Sequence, residues 1–301
     1  AGYTKPKEAA KPLKKIDAFT TEDGHPADPL DRTAKLYIAG KQARPDGGYS
    51  NPVYSPRGKL LGHASVANRK DIRNAVEACN AAKGWSKTTG HLRAQILYYI
   101  AENLSARADE FATRINNLTG GRTGPDEVET SIRTLFTYAA WADKYDGQVH
   151  GVPIRGVALA MKEPVGNIGI LCDDAAPLAG LIAAMAPAIA MGNRVVLAAS
   201  EPFPLAATDF YQVLETSDVP AGVVNIITGS HAELAPTLAS HLDIDAVWSF
   251  SSSDLSAEIE KASAGNLKRT WVNNATAMVP STADYLAAST EIKNIWIPYG
   301  E

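Results

Sequence analysis

Cysteine and paired metal ligands are scarce in this chain of 301 residues. The two cysteines, Cys79 and Cys172, give neither a disulfide framework nor the paired spacing of a metal site. The six histidines are scattered, without a pair at helical spacing. The sequence therefore predicts no metal site.

Long apolar runs and an excess of positive charge are missing as well. No apolar stretch is both long and uninterrupted enough to span a bilayer, and the start of the chain lacks the apolar core of a signal peptide. A net charge of -4 argues against nucleic acid or an anionic membrane as the main partner. We therefore expect a cytoplasmic protein with neither kind of partner.

Residues 1–31 contain little that a core would bury. Their lysines, glycines and prolines are typical of a linker or solvated tail. The chain also begins at Ala1 rather than at Met. We expect either a removed initiator or a module that belongs to a longer polypeptide.

Four apolar runs rich in Val, Ile and Leu recur at regular intervals after residue 164, and a fifth, weaker run follows. Each gap between runs holds a segment of helical length, and continuously apolar strands are typical of a parallel sheet buried on both faces. This pattern predicts a doubly wound α/β fold of the Rossmann type. The runs are residues 165–172, 194–199, 223–228, 246–250 and 269–273.

Residues 32–147 predict a helical arm that precedes the sheet. A short strand candidate lies at residues 35–39, and Asn68 is placed to cap a helix that carries Cys79 on its apolar face. Cys79 is therefore expected in the core rather than as a nucleophile. Further helical patterns cover residues 91–106, 108–118 and 125–145.

Residues 148–161 alternate between apolar and polar positions, which predicts a two-stranded ribbon. Residues 291–299 predict a further, terminal strand. A ribbon of this kind is marginal alone and needs something to lie against. We therefore expect pairing across subunits, as in a homo-oligomer.

Several segments in a fixed order carry a family resemblance. Four of them closely resemble the cofactor-binding half of NAD(P)-dependent aldehyde dehydrogenases. They are KEPVGNIG at residues 162–169, the stretch ending GNRVVLAASE at residue 201, VPAGVVNIITG at residues 219–229 and NLKRTWVNN at residues 266–274. Upstream, KLYIAGK at residues 35–41 resembles the same family's amino-terminal arm. The resemblance implies a cofactor-type domain at residues 162–276 and an oligomerisation ribbon at residues 148–161.

The family's catalytic positions are replaced in this chain. An asparagine in a Pro-Trp-Asn-Phe-Pro segment donates its amide to the oxyanion in the family, whereas Ala175 stands there and has no donor. The family's general-base glutamate corresponds to Asn273, whose amide cannot accept a proton from water near neutral pH. The family's nucleophilic cysteine has no counterpart, because no cysteine follows Cys172. We predict no catalytic residue in this chain.

The cofactor positions are replaced only in part. Ala198 stands where the family has a lysine that grips the ribose, and Ser251 replaces a glycine beneath the pyrophosphate. Glu201, Gly229 and Ser252 match the family and are vestigial candidates for cofactor binding. We expect no tightly bound cofactor here, with NAD bound in a companion module.

The sequence passes from Asn274 to a terminal segment, residues 277–301, that resembles the family's carboxy-terminal oligomerisation strand. The catalytic subdomain is thus expected to be absent. The arrangement resembles the non-catalytic second module of family 16 aldehyde dehydrogenases. The resemblance implies a structural pseudo-enzyme whose partners are a companion catalytic module and further copies of the chain.

Two other functions stay open at this point. The surviving Glu201, Gly229 and Ser252 allow a weak nucleotide-binding regulatory module. Asp173 and Asp174 allow an acid and base pair of different chemistry, although adjacent residues at a strand end point to opposite sides.

Overall fold

The computed structural model describes residues 32–250, 253–273 and 280–298. The linker predicted at residues 1–31 therefore lies outside the described residues. The strands are β1 Leu36–Ile38, β2 Lys41–Ala43, β3 Ser50–Tyr54, β4 Leu60–Ser65, β5 Gln148–Gly151, β6 Gly156–Pro164, β7 Asn167–Leu171, β8 Arg194–Ala198, β9 Val224–Ile227, β10 Ala246–Ser249, β11 Arg269–Val272 and β12 Thr290–Pro298. The α-helices are α1 Arg69–Ala81, α2 Gly90–Ala106, α3 Ala108–Thr119, α4 Gly124–Trp141, α5 Ala179–Ala190, α6 Pro204–Asp209, α7 Tyr211–Glu215, α8 His231–Ser240, α9 Ser253–Ser263 and α10 Thr282–Ala288.

A seven-stranded sheet in the order β11-β10-β7-β8-β9-β1-β2 forms the centre of the molecule. The five strands from β11 to β9 run parallel, as the five apolar runs predict. β1 adds to this sheet antiparallel to β9, with Tyr37 opposite Ile226. The amino-terminal arm is thus joined to the cofactor-type sheet by strand pairing as well as by helix packing.

Helices cover both faces of the sheet, as a doubly wound fold requires. On one face Ile170 of β7 belongs to a core cluster that includes Leu181 of α5 and residues of α2, α3 and α4. On the other face Val196 of β8 belongs to a cluster that includes Val76 of α1 and residues of α8 and α9. The predicted Rossmann-type architecture is confirmed.

The ends of two helices follow their sequence signals. Asn68 caps α1, and its side chain and that of Asp71 bond reciprocally to the backbone in a capping box. At the end of α5, Gly192 adopts a φ of +90°, which favours glycine. The buried Asn193 then donates through Nδ2 to Ala188 O at 3.0 Å and to Ser289 O at 2.8 Å. Asn193 therefore links α5 to the segment that leads into β12.

A second sheet in the order β12-β6-β5 holds the predicted ribbon, which we call the ribbon sheet. β12 pairs antiparallel with β6 along its whole length, from Thr290 opposite Pro164 to Pro298 opposite Gly156. The terminal strand, expected to be alone and to pair across subunits, therefore pairs within its own chain. It does so because α10 immediately precedes it and turns the chain back towards β6.

Helix α10, which the sequence analysis does not predict, covers the sheet where β10 and β11 end. Ser281 and Asp284 form a capping box that starts it. Tyr285 is nearly buried and packs against the Trp271 ring at a centroid distance of 5.1 Å. We call this group the aromatic cluster; its members are Tyr138, Trp248, Phe250, Trp271 and Tyr285.

Replacing Tyr285 by alanine should destabilise the chain strongly, because the change opens a cavity at the centre of the aromatic cluster. We expect Tyr285→Ala to lower the free energy of unfolding by about 3–5 kcal/mol, as for other buried aromatic residues. Urea denaturation followed by far-UV circular dichroism measures this. Tyr99→Ala, on the outer face of α2 with 36% exposure, should cost less than about 1 kcal/mol. Equal losses in the two variants would contradict the role of the cluster.

Candidate functional site

The parallel strands β7, β8, β9 and β10 end at one edge of the sheet, where open α/β proteins place their ligands. The loops that follow these strands carry most of the polar residues that the sequence analysis selected. We call them together the carboxyl edge, made of residues 172–176, 199–203, 228–231 and 249–250.

Hydrogen bonds between side chains and backbone groups tie these loops to one another. Asp174 Oδ1 accepts a hydrogen bond from Glu201 N at 2.8 Å. Glu201 Oε2 in turn accepts from His231 N at 2.9 Å, at the start of α8. The buried His231 ring also lies with Nε2 2.8 Å from Ala199 O. The polar side chains of the carboxyl edge are therefore engaged in holding three loops together.

Glu127 is a member of this site that the sequence analysis missed. It lies in α4, yet its Oε1 accepts from Leu178 N at 2.8 Å and from Ala179 N at 3.1 Å, at the start of α5. Partial burial raises the pKa of the Glu127 carboxyl, while these two donors act in the opposite direction. No local pattern could reveal it, because the contact spans 51 residues.

Two of the helices that begin at the carboxyl edge are thus capped by carboxylates of the chain itself. The positive end of α8 faces Glu201 and that of α5 faces Glu127. Free helix N termini bind phosphate well, but these two already hold an anion. The third helix, α9, begins at Ser253, and Ser251 and Ser252 before it lie outside the described residues.

The charge of this region is negative. Asp173, Asp174 and Glu201 lie on the carboxyl edge with Glu127 beside them, and its segments contain no lysine or arginine. Ala198, at the family's lysine position, is fully buried and aliphatic. A dinucleotide would bring two anionic phosphates to these carboxylates, so the charge of this region opposes an NAD-type cofactor.

Ala175 and Asn273, the positions that the resemblance predicts to be replaced, follow strands of the central sheet. Ala175 is exposed and donates its backbone N–H to Asp173 Oδ1 at 3.0 Å. Asn273 follows β11 and donates its backbone N–H to Ser249 O at 3.2 Å. Gly229 follows β9 with a φ of +148°. The roles assigned to these positions, and to Glu201 and Ser252, remain predictions.

Asp173 and Asp174 do not form a shared acid and base pair. Asp173 accepts from Ala175 N, whereas Asp174 accepts from Glu201 N across the neighbouring loop. The two carboxylates therefore serve different backbone donors. This arrangement favours loop-structuring roles over proton transfer between them.

Both cysteines are buried and neither forms a disulfide. Cys172 is 1% exposed, and its burial together with the charges of Asp174 and Asp173 raises the pKa of its thiol. Burial also raises the pKa of the Cys79 thiol, to about 12. Because the thiolate is the nucleophilic form of cysteine, neither residue suits attack on an aldehyde.

Within residues 32–250, 253–273 and 280–298, no three His, Cys, Asp or Glu side chains are grouped so as to hold a metal ion. In the same part of the chain, no helix combines the length and apolarity needed to cross a bilayer.

The sequence profile described as the aldehyde dehydrogenase family matches residues 44–297. An aldehyde dehydrogenase of Agaricus bisporus is 34% identical over 225 residues, which are 72% of this chain and 45% of that protein. The cytosolic 10-formyltetrahydrofolate dehydrogenase of Homo sapiens is 29% identical over 248 residues, which are 78% of this chain and 27% of that protein. The chain thus spans less than half the length of these curated relatives.

Solved structures confirm the fold. PnpE from Pseudomonas sp. WBC-3 superposes with a TM-score of 0.77 at 27% identity, covering 80% of this chain and 50% of that one. An indole-3-acetaldehyde dehydrogenase in its apo form superposes with a TM-score of 0.78 at 26% identity, covering 82% of this chain and 60% of that one. A 3,6-anhydro-L-galactose dehydrogenase, solved in complex with NAP, superposes with a TM-score of 0.75 at 25% identity, covering 80% of this chain and 51% of that one.

We expect the thiols of the native chain to resist alkylation. In iodoacetamide at pH 8, Cys79 and Cys172 should react roughly a hundredfold more slowly than in the urea-unfolded chain, because both are buried as neutral thiols. Intact mass spectrometry should show no adduct on the native chain and two after unfolding. A single fast adduct on Cys172 in the native chain would contradict this.

Proposed function

The chain belongs to the aldehyde dehydrogenase family, and we propose that it is a non-catalytic module that acts in oligomerisation and structural support. The observation that supports the proposal is how the carboxylates of the carboxyl edge are bonded. Its carboxylates cap helices and tie loops together, and they are not arranged around a reacting group. Fold and activity separate readily in this way when site residues change.

In this proposal the chain does not catalyse aldehyde oxidation, because three positions lack the groups that the reaction needs. The proposal requires that Ala175 offers no side-chain donor to an oxyanion and that Asn273 offers no general base. The buried Cys172 offers no thiolate for acyl transfer. Loss of all three functions leaves no route from an aldehyde to an acid.

We further propose that this module is the C-terminal half of a longer NAD-dependent enzyme. The relatives that it matches are more than twice its matched length. In this proposal the companion module binds NAD and oxidises aldehydes to carboxylic acids. The two free, buried thiols suit a reducing compartment, which supports a cytoplasmic location.

The ribbon sheet provides the interaction surface. Val149, Leu159 and Ile295 stand opposite one another across its three strands, and residues directly opposite in antiparallel strands share a face. Val157 and Ile297 form a second pair on the same face. Val149 is 72% exposed, Ile297 48% and Ile295 37%. An apolar face of this kind, beside the free edge of β12, is typical of a protein interface.

A charge on this face should disrupt assembly more than folding. We expect Ile295→Asp to shift the mass of the chain to a smaller species in multi-angle light scattering, with the far-UV circular dichroism unchanged. Asn294→Asp introduces the same side chain on the opposite face of β12 and should leave the mass unchanged. Val157→Pro, which interrupts the central strand of the ribbon sheet, should act like Ile295→Asp. If both keep the wild-type mass, the interface lies elsewhere.

The second candidate function is a weak NAD-binding regulatory module. Glu201 favours it, because this exposed residue uses only one carboxylate oxygen on His231 N. The negative charge of the carboxyl edge opposes it.

We expect calorimetric titration of the chain with NAD to show a dissociation constant weaker than about 1 mM, since no cation of the carboxyl edge offsets the phosphates. A catalytic aldehyde dehydrogenase titrated under the same conditions is the positive control. Micromolar affinity that falls on Glu201→Gln would favour the regulatory function instead.

A further inference from the structure

A polar cleft of about 330 Å³ opens at the amino ends of β7 and β8, on the side of the sheet away from the carboxyl edge. It shares no residue with the site described above or with the ribbon sheet. Its volume is at the lower end of the range of small-molecule sites. The lining residues are Asn80, Lys83, Asn167, Arg194, Leu242, Asp243 and Asp245.

Arg194 lies in this cleft and is only 8% exposed. Its Nε donates to Asn167 Oδ1 at 3.0 Å. Asn167 is itself 3% exposed, and its Nδ2 donates to Asn80 Oδ1 at 2.8 Å and to Asp243 O at 2.9 Å. Because Asn167 is bonded at both ends of its amide, it fixes the orientation of the Arg194 guanidinium.

The terminal nitrogens of Arg194 have no partner in the part of the chain that the structure describes. Among the described residues the Arg194 side chain bonds through Nε alone, and its guanidinium forms no ion pair with a described carboxylate. The charge of Asp245 attracts the guanidinium without a direct ion pair, and a guanidinium held in this way presents a fork that matches a carboxylate. Arg194 is therefore poised to bind an anionic group.

The other charged residues of the cleft limit what that ligand can be. Lys83 adds a second cation, but Asp243 and Asp245 add two anions. Each of these carboxylates is held through one oxygen, Asp243 by Asn80 Nδ2 at 3.1 Å and Asp245 by Asn167 N at 2.7 Å. A simple anion would meet both carboxylates, and a simple cation would meet both basic side chains. A ligand with one charge of each sign would be attracted both by the basic side chains and by the carboxylates.

We infer that this cleft binds a small zwitterion with a carboxylate next to an ammonium group, the chemical class of free α-amino acids. The ligand carboxylate pairs with the Arg194 guanidinium, with Lys83 nearby, and its ammonium group faces Asp243 and Asp245. The exposed Leu242 contacts the ligand side chain.

Calorimetric titration of the 301-residue chain with three matched probes tests this. L-alanine carries both charges, propionate lacks the ammonium group and ethylammonium lacks the carboxylate. We expect L-alanine to bind at least tenfold more tightly than either of the other two. Equal affinity for propionate would show a simple anion site, and no measurable heat with any probe would show a solvated cleft; either result overturns the inference.

Two variants locate the binding. Arg194→Gln should weaken L-alanine binding at least tenfold, and Asp243→Asn should weaken L-alanine binding while leaving propionate binding unchanged or stronger. Arg133→Gln makes the same change at an exposed arginine outside the cleft and is the control that should leave L-alanine binding unchanged. If circular dichroism shows that Arg194→Gln does not fold, the test rests on Asp243→Asn, on the wall of the cleft. Unchanged L-alanine affinity in the folded variants would refute the assignment.

Discussion

The packing of Tyr285 against Trp271 and Trp248 is the constraint on which the rest of this structure depends. It holds α10 over the end of the sheet, where the two rings would otherwise be open to solvent. Two polar contacts fix the same segment, from Asn193 Nδ2 to Ser289 O at 2.8 Å and from Arg269 Nη1 to Thr290 O at 2.9 Å. α10 directly precedes β12, which pairs with β6 along its whole length. The ribbon sheet and its apolar face follow from that geometry.

The carboxyl edge supports the proposal that this chain keeps the fold of its family without the family's chemistry. The helix N termini of such a sheet leave backbone N–H groups that need an acceptor. In this chain Glu127 and Glu201 satisfy some of them permanently. The same bonds stabilise the loops and hold negative charge at the carboxyl edge. In the proposed non-catalytic module, the bonds that stabilise the scaffold are also the ones that oppose a dinucleotide.

Sequence reasoning predicts the strands and most helices of this chain because their signals are local. Continuous apolar runs predict β7 to β10, and Asn68 predicts the start of α1. It misses α10 and the intrachain pairing of β12, which depend on how distant segments pack. It also misses Glu127 and the Arg194 cleft, since each joins residues far apart in the chain. The family resemblance predicts which positions are replaced, but only the structure shows which donors bond to the remaining carboxylates.

The most direct measurement of the central claim is aldehyde-dependent NADH formation by the purified chain alone. Absorbance at the NADH band should not rise above the enzyme-free blank with short aliphatic or aromatic aldehydes. A matched reaction with a catalytic aldehyde dehydrogenase shows that the assay works. Turnover that is intrinsic to the chain and disappears in Cys172→Ser would contradict the account, because it would require a reactive thiolate where the structure places a buried thiol.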